Sequence, residues 1–146
     1  MTRRLFGLAL IVLATGAVLG THWLGNLAST QRLTVPFARG TELTAEGRTA
    51  IERAVVFLTE HPRHHASVVG HSGTLGDADS NRLLSQQRAE AVADRLIAAG
   101  IDRARLTTAG IGGSEPLPRR DDEPTLAYQG RLARVVVTLV HPAPWN

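Results

Sequence analysis

Two stretches with helical apolar spacing, each followed by a short β-branched run, limit this chain to very few folds. In the first, Ile51, Ala54, Val55 and Leu58 recur at i, i+3, i+4 and i+7, so one face of a helix is apolar. Thr44 is placed to cap that helix and His61-Pro62 to end it. Ala66 to Gly70 (ASVVG) follows, too short for a helix and rich in β-branched residues, and reads as a central strand. A second helix opens near Asp79 or Ser80, carries a core stripe of Ala89, Val92, Leu96 and Ala99, and closes at Gly100. A third strand is expected over Arg105 to Ile111, and a last one over Leu132 to Val140, where Ala133, Val135, Val137 and Leu139 alternate onto one face. Arg32 to Phe37 supplies the first strand, with Pro36 marking an edge or an irregular end.

The order β-α-β-α-β-β places both helices as crossovers on the same side of one sheet. The expected fold is α+β: a two-layer sandwich with two helices packed on one face of a mixed four-stranded sheet, preceded by an N-terminal hydrophobic helix. Gly112 to Gly130 (GGSEPLPRRDDEPTLAYQG) reads as an irregular excursion too polar to be core. With 146 residues, the chain has room for one domain of about 110 residues and an appendage.

That appendage is the N-terminus. Met1 to Arg4 is a short positive lead, and Leu5 to Leu19 has no charge. If the helix continues to Leu24, its roughly 20 residues cover about 30 Å, the thickness of a bilayer's hydrocarbon core. Residues 1–25 are therefore a signal anchor or a signal peptide, with residues 5–24 in the membrane if uncleaved. Residues 26–31 read as a linker, 32–141 as the exported domain and 142–146 as a tail. The arginines stay inside, so the domain is exported and, if the segment is uncleaved, stays anchored to the membrane. Cleavage after Gly20 makes it soluble, or associated with the outer membrane, instead.

Composition removes several functions. There is no cysteine, which excludes disulfides, thiol chemistry, cysteine-ligated metals and a lipid on an N-terminal cysteine. All basic residues are arginine, yet the net charge is only +3 with acids spread among them, so no nucleic-acid footprint is present. His61, His64 and His65 lack an i, i+4 pair and follow a helix stop, which favours an exposed turn over a metal site. No metal and no cofactor is expected.

The informative stretch is Gly70 to Val92 (GHSGTLGDADSNRLLSQQRAEAV). Loops between a central strand and a long helix commonly carry binding groups. Within the helix, Asn81, Ser85 and Arg88 stand at i, i+4 and i+7 and project along one line. A guanidinium near the free N–H groups of a helix start suits a carboxylate, although a merely solvated polar face has the same pattern. His71 beside Ser72 suggests a base and a nucleophile, but the sequence positions no acid partner for them.

Residues Phe37 to Gly47 (FARGTELTAEG), Pro62, Gly70-His71-Ser72, Gly76-Asp77, Asn81-x-x-Leu84-Ser85-x-x-Arg88-Ala89-x-x-Val92, Gly110-x-Gly112 and Glu115-Pro116-Leu117 together resemble the OmpA-like C-terminal, peptidoglycan-associating domain family. The resemblance covers roughly residues 32 to 140. It implies a periplasmic, non-catalytic domain that holds peptidoglycan non-covalently by the diaminopimelate of its stem peptides. In the family an aspartate of the loop and the arginine of L-S-x-x-R-A meet that zwitterion. Arg88 matches the arginine, whereas the aspartate's position is Gly73, followed by Thr74. In the last strand only one arginine of the family's N-R-R-V is matched, by Arg134.

The ligand-binding set implied is Arg88, Asn81, Ser85, Ser72, Gly73, Thr74, Asp77 and Arg134. Asp77 and Asp79 are the acids available to replace the missing one, with Asp79 also expected as the helix cap. The alternative is a degenerate domain serving as a protein-interaction module of an envelope complex, for which Arg119-Arg120 and Asp121-Asp122-Glu123 offer a docking loop. A small periplasmic hydrolase using His71 and Asp77 is a more distant reading.

Overall fold

The computed structural model describes residues 30–141. The hydrophobic segment at 5–24 and the tail at 142–146 lie outside the described residues, and with them the anchor, signal and N-terminal helix expectations. Among the described residues, no helix is long and apolar enough to cross a membrane.

The first strand, β1 (Gln31–Arg39), turns at Gly40 into a two-residue strand, β2 (Glu42–Leu43). Helix α1 (Ala45–Glu60) starts at Thr44, whose hydroxyl accepts the Gly47 N–H at 3.0 Å. Strand β3 (His65–Gly70) leads through the loop into α2 (Ala78–Ala98). A single 3₁₀ turn, Arg103–Arg105, precedes β4 (Leu106–Gly110), and α3 (Thr125–Leu132) precedes β5 (Arg134–Val140). The sheet order is β2-β1-β5-β3-β4, parallel between β3 and β4 and antiparallel elsewhere.

Register explains the core. Val68 lies opposite Val137, Ala66 opposite both Leu139 and Leu106, and Val35 opposite Val135, so their side chains form one apolar face. Ile51, Ala54 and Leu58 of α1 and Ala89, Val92, Ala93 and Leu96 of α2 close over that face in a single cluster. Arg105 ties the end of α1 down from a distance: its guanidinium donates to the carbonyl of Leu58 in the last turn and to those of His61 and His64 just beyond it. Helix α2 ends as Gly100 takes φ +93°, with Ile101 N–H donating to Leu96 O at 3.0 Å.

Several expectations need correction. The sheet has five strands, because β2 is too short to show any alternation in sequence. A third helix lies in the excursion expected to be irregular, and it takes Leu132 and its cap Ala133 away from the last strand, which begins at Arg134. The apolar content of α3 is slight; Leu132 alone of its residues is buried. Asp77, not Asp79 or Ser80, caps α2, its carboxylate accepting the Ser80 N–H at 2.8 Å. Ala99 is an exposed helix end, and the stripe runs instead through Ala93. Arg105 belongs to the 3₁₀ turn, and β4 is Leu106–Gly110.

Candidate functional site

Helix α2 rides directly on the ends of two strands. A Cβ on Gly70 would overlap the Ser85 backbone carbonyl, and one on Gly110 would overlap the Gln86 backbone nitrogen. Only glycine at these two strand ends lets the helix backbone come this close. The polar line then pins the surrounding chain: Asn81 Nδ2 donates to Leu75 O at 2.9 Å, and Ser85 Oγ accepts the Gly112 N–H at 2.8 Å while donating to Arg82 O at 2.7 Å. Ser72, 2% exposed, donates its N–H to Gly112 O at 2.9 Å. Asn81, Ser85 and Ser72 are thus brought together around the loop, and each already has partners in the chain.

Arg88 is 5% exposed. Its Nε donates to Gly40 O at 2.6 Å and its Nη1 to His71 O at 3.4 Å, while the guanidinium lies 5.3 Å from the centre of the Phe37 ring. Nη2 has no hydrogen-bond partner among the described residues. Arg134, also buried, donates from Nη1 to Leu132 O and from Nη2 to Glu115 O, both at 3.2 Å. His71 lies between them, 4% exposed, its N–H donating to Arg134 O at 2.8 Å and its Nδ1 without a partner.

Among the described residues neither guanidinium forms an ion pair. Burial pushes the pKa of Arg88 and Arg134 down from the usual guanidinium value; for Arg134 the Glu115 charge opposes this shift. Burial, reinforced by the Arg134 charge, also pushes His71 down and favours its neutral form. Two buried guanidiniums, each held by carbonyl oxygens, thus border His71, a chemistry suited to an incoming anion.

The loop tip has a different partner. Gln129 of α3 accepts the Thr74 N–H through Oε1 at 2.9 Å and donates from Nε2 to Thr74 Oγ1 at 3.0 Å. A Cβ on Gly73 would overlap that same Oε1. Asp77 stands apart as the helix cap, and its hydrogen bonds with Ser80 hold its carboxyl below the usual range. The hydrolase pairing of His71 with Asp77 is not formed among the described residues. A surface cavity of about 380 Å³ touches the loop, lined by Gly73, Thr74, Asp79, Asn81, Arg82 and residues 111–114 rather than by Arg88 or Arg134.

Helix α3 is positioned by a small polar scaffold. Arg131 pairs with Glu123 through Nε at 2.8 Å and Nη2 at 2.7 Å, and the guanidiniums of Arg119 and Arg131 lie 5.4 and 5.7 Å from the centre of the Tyr128 ring. Tyr128 also donates to Leu117 O at 3.0 Å. Within the expected docking loop, Glu123 and Arg119 are therefore engaged internally. His61 stacks on Phe57 at 4.2 Å, His64 meets both rings edge-on, and no group of three or more acids or histidines among the described residues is placed to hold a metal.

The contributions of Gln129, Phe37 and the Gly40 carbonyl were not anticipated from the residues. Phe37 and Gly40 fall within the first matched segment, which signalled that the segment mattered without saying how. Gln129 gave no signal, because its role depends on a contact 55 positions away.

A two-layer α+β domain with a glycine-seated helix and a buried arginine behind the strand-to-helix loop is the class of protein defined here. A family model described as the OmpA family matches residues 37–126, and the chain belongs to that family. It is 33% identical over 97 residues to "Probable lipoprotein YiaD" of Escherichia coli (strain K12), covering 66% of this chain and 43% of that protein, so it spans less than half of that relative's length. The OmpA-like domain of FopA1 from Francisella tularensis is similar in structure, with TM-score 0.64 and 26% identity over 78% of this chain and 77% of that one. The peptidoglycan-associated lipoprotein from Burkholderia pseudomallei shares the fold, with TM-score 0.65 and 23% identity over 74% of this chain and 90% of that one.

Proposed function

We propose that this is a non-catalytic cell-envelope protein whose exported domain associates non-covalently with peptidoglycan, taking a diaminopimelate carboxylate of the stem peptide at the cluster of Arg88, His71 and Arg134. One observation carries the reading: Arg88 is buried without an acid among the described residues and keeps Nη2 uncommitted. A desolvated charge of this kind is strongly stabilised by an anion brought from outside. Family membership and a structural relative named as peptidoglycan-associated support the same assignment. Residues 5–24 hold the chain in the inner membrane, and the domain works in the periplasm.

Co-sedimentation of the full chain, kept in mild detergent, with purified sacculi tests this. Arg88→Ala is expected to weaken binding by roughly tenfold to a hundredfold, the worth of one charge-assisted contact. Binding no better than a control protein, with no effect of Arg88→Ala, refutes it. The second reading, a protein-interaction module, is favoured by Leu75 and Leu126, which are 63% and 87% exposed on the loop and on α3. It predicts that sacculi are ignored while Leu126→Ser disrupts an envelope complex.

A further inference from the structure

The cationic cluster and the loop tip sit at opposite ends of one short stretch, His71 to Thr74. At its first end the His71 carbonyl accepts from Arg88 and its N–H donates to Arg134. At its second end Gln129 holds Thr74 by two hydrogen bonds and fills the space in front of Gly73. The Gln129 amide is uncharged, with its oxygen and one N–H already engaged. Asp77, the acid next along the loop, faces Ser80 as the helix cap. Glu115 acts on Arg134 and His71 through space, and Arg134 is hydrogen-bonded to its backbone carbonyl rather than its carboxylate.

This surface receives a carboxylate well and a nearby ammonium poorly. An ammonium carried in beside the carboxylate would lie near the buried Arg88 guanidinium, which has no acid partner among the described residues, and an unpaired like charge is an effective means of rejection. Resting on the site proposed above, we infer that the site selects a carboxylate whose neighbouring nitrogen is acylated, as where two stem peptides are cross-linked, over one whose neighbouring nitrogen is a free ammonium. Gln129 is the residue that sets this preference. It fills the space at Gly73 with an uncharged amide, and its contact requires the absence of a side chain there.

The test uses two synthetic stem tripeptides ending in diaminopimelate, one with the distal amine free and one with it N-acetylated, titrated calorimetrically into the full chain. The acetylated peptide is expected to bind roughly tenfold tighter. Gln129→Glu keeps an oxygen for the Thr74 N–H and adds a charge for the ammonium, so it is expected to reverse the order. Thr74→Asp, at an exposed position, supplies the charge by another route and is expected to move the ratio in the same direction should the first variant fold poorly. Equal or tighter binding of the free-amine peptide by the unaltered chain, or a ratio that neither variant moves, overturns the inference; if Arg88→Ala still weakens both peptides, the site itself stands. If neither peptide binds and Arg88→Ala changes nothing, the site and the inference both fall.

Discussion

Introducing an acid at Gly73 is the change that the family resemblance invites, and the contacts of Gly73 say what it costs. Its backbone lies outside the left-handed region, so aspartate meets no conformational penalty there. The obstacle is Gln129 Oε1, the mobile end of a side chain, which must leave and give up both bonds to Thr74. Two neutral, partly exposed hydrogen bonds are worth about 1–2 kcal/mol together. For a domain of this size that lowers Tm by roughly 4–10 °C. In a Gln129→Ala background those bonds are already absent, so Gly73→Asp is expected to cost close to nothing further. Urea unfolding of the four proteins closes a double-mutant cycle, with an expected coupling of about 1–2 kcal/mol. Equal cost in both backgrounds would refute the idea that Gln129 and the bare Gly73 are matched to one another.

Gly70→Ala sets a Cβ against the Ser85 backbone, which cannot swing aside, and is expected to destabilise the domain by about 3 kcal/mol, seen as a lower urea midpoint at unchanged slope. His64 is buried with Nε2 unpartnered, and burial lowers its pKa from the ordinary 6.5, as it does for His71. Because the unfolded chain takes up these protons first, stability falls as pH drops below about 6.5, and His64→Phe is expected to flatten that slope in melting curves. Glu123 is held at about 2, chiefly by its hydrogen bond from Arg131. Its contribution is full above the ordinary value of 4.5 and is lost as pH falls through about 2, so the Tm difference between Glu123→Gln and the unaltered chain should vanish over that window.

What could be read in the sequence was what repeats or caps. The stripe Ile51, Ala54, Leu58 and the alternation Val135, Val137, Leu139 declare one buried face each, because burial acts on every residue of the element. Thr44 was legible as a cap because its oxygen serves an N–H three residues away. By contrast β2 has two residues and α3 a single buried one, too few for any period to emerge. Asp77, Asp79 and Ser80 are all competent acceptors for the start of α2; the extended backbone at Asp77 decides, and composition is blind to it.

The site divides along the same line. Arg88 was visible because its helical spacing from Asn81 and Ser85 and its matched motif agree, whereas the partners that fix its guanidinium are two backbone carbonyls, Gly40 and His71, which any residues could supply. A carbonyl leaves no mark in a sequence. The bare position at Gly73 was visible as a missing charge, but its counterpart lies 56 residues on, in a helix whose own existence was hidden. Gly73 therefore has two meanings that sequence alone cannot separate: a lost ligand group, or a vacancy that Gln129 requires. The contact between them favours the second: Gln129 Oε1 occupies the space that any side chain at Gly73 would need.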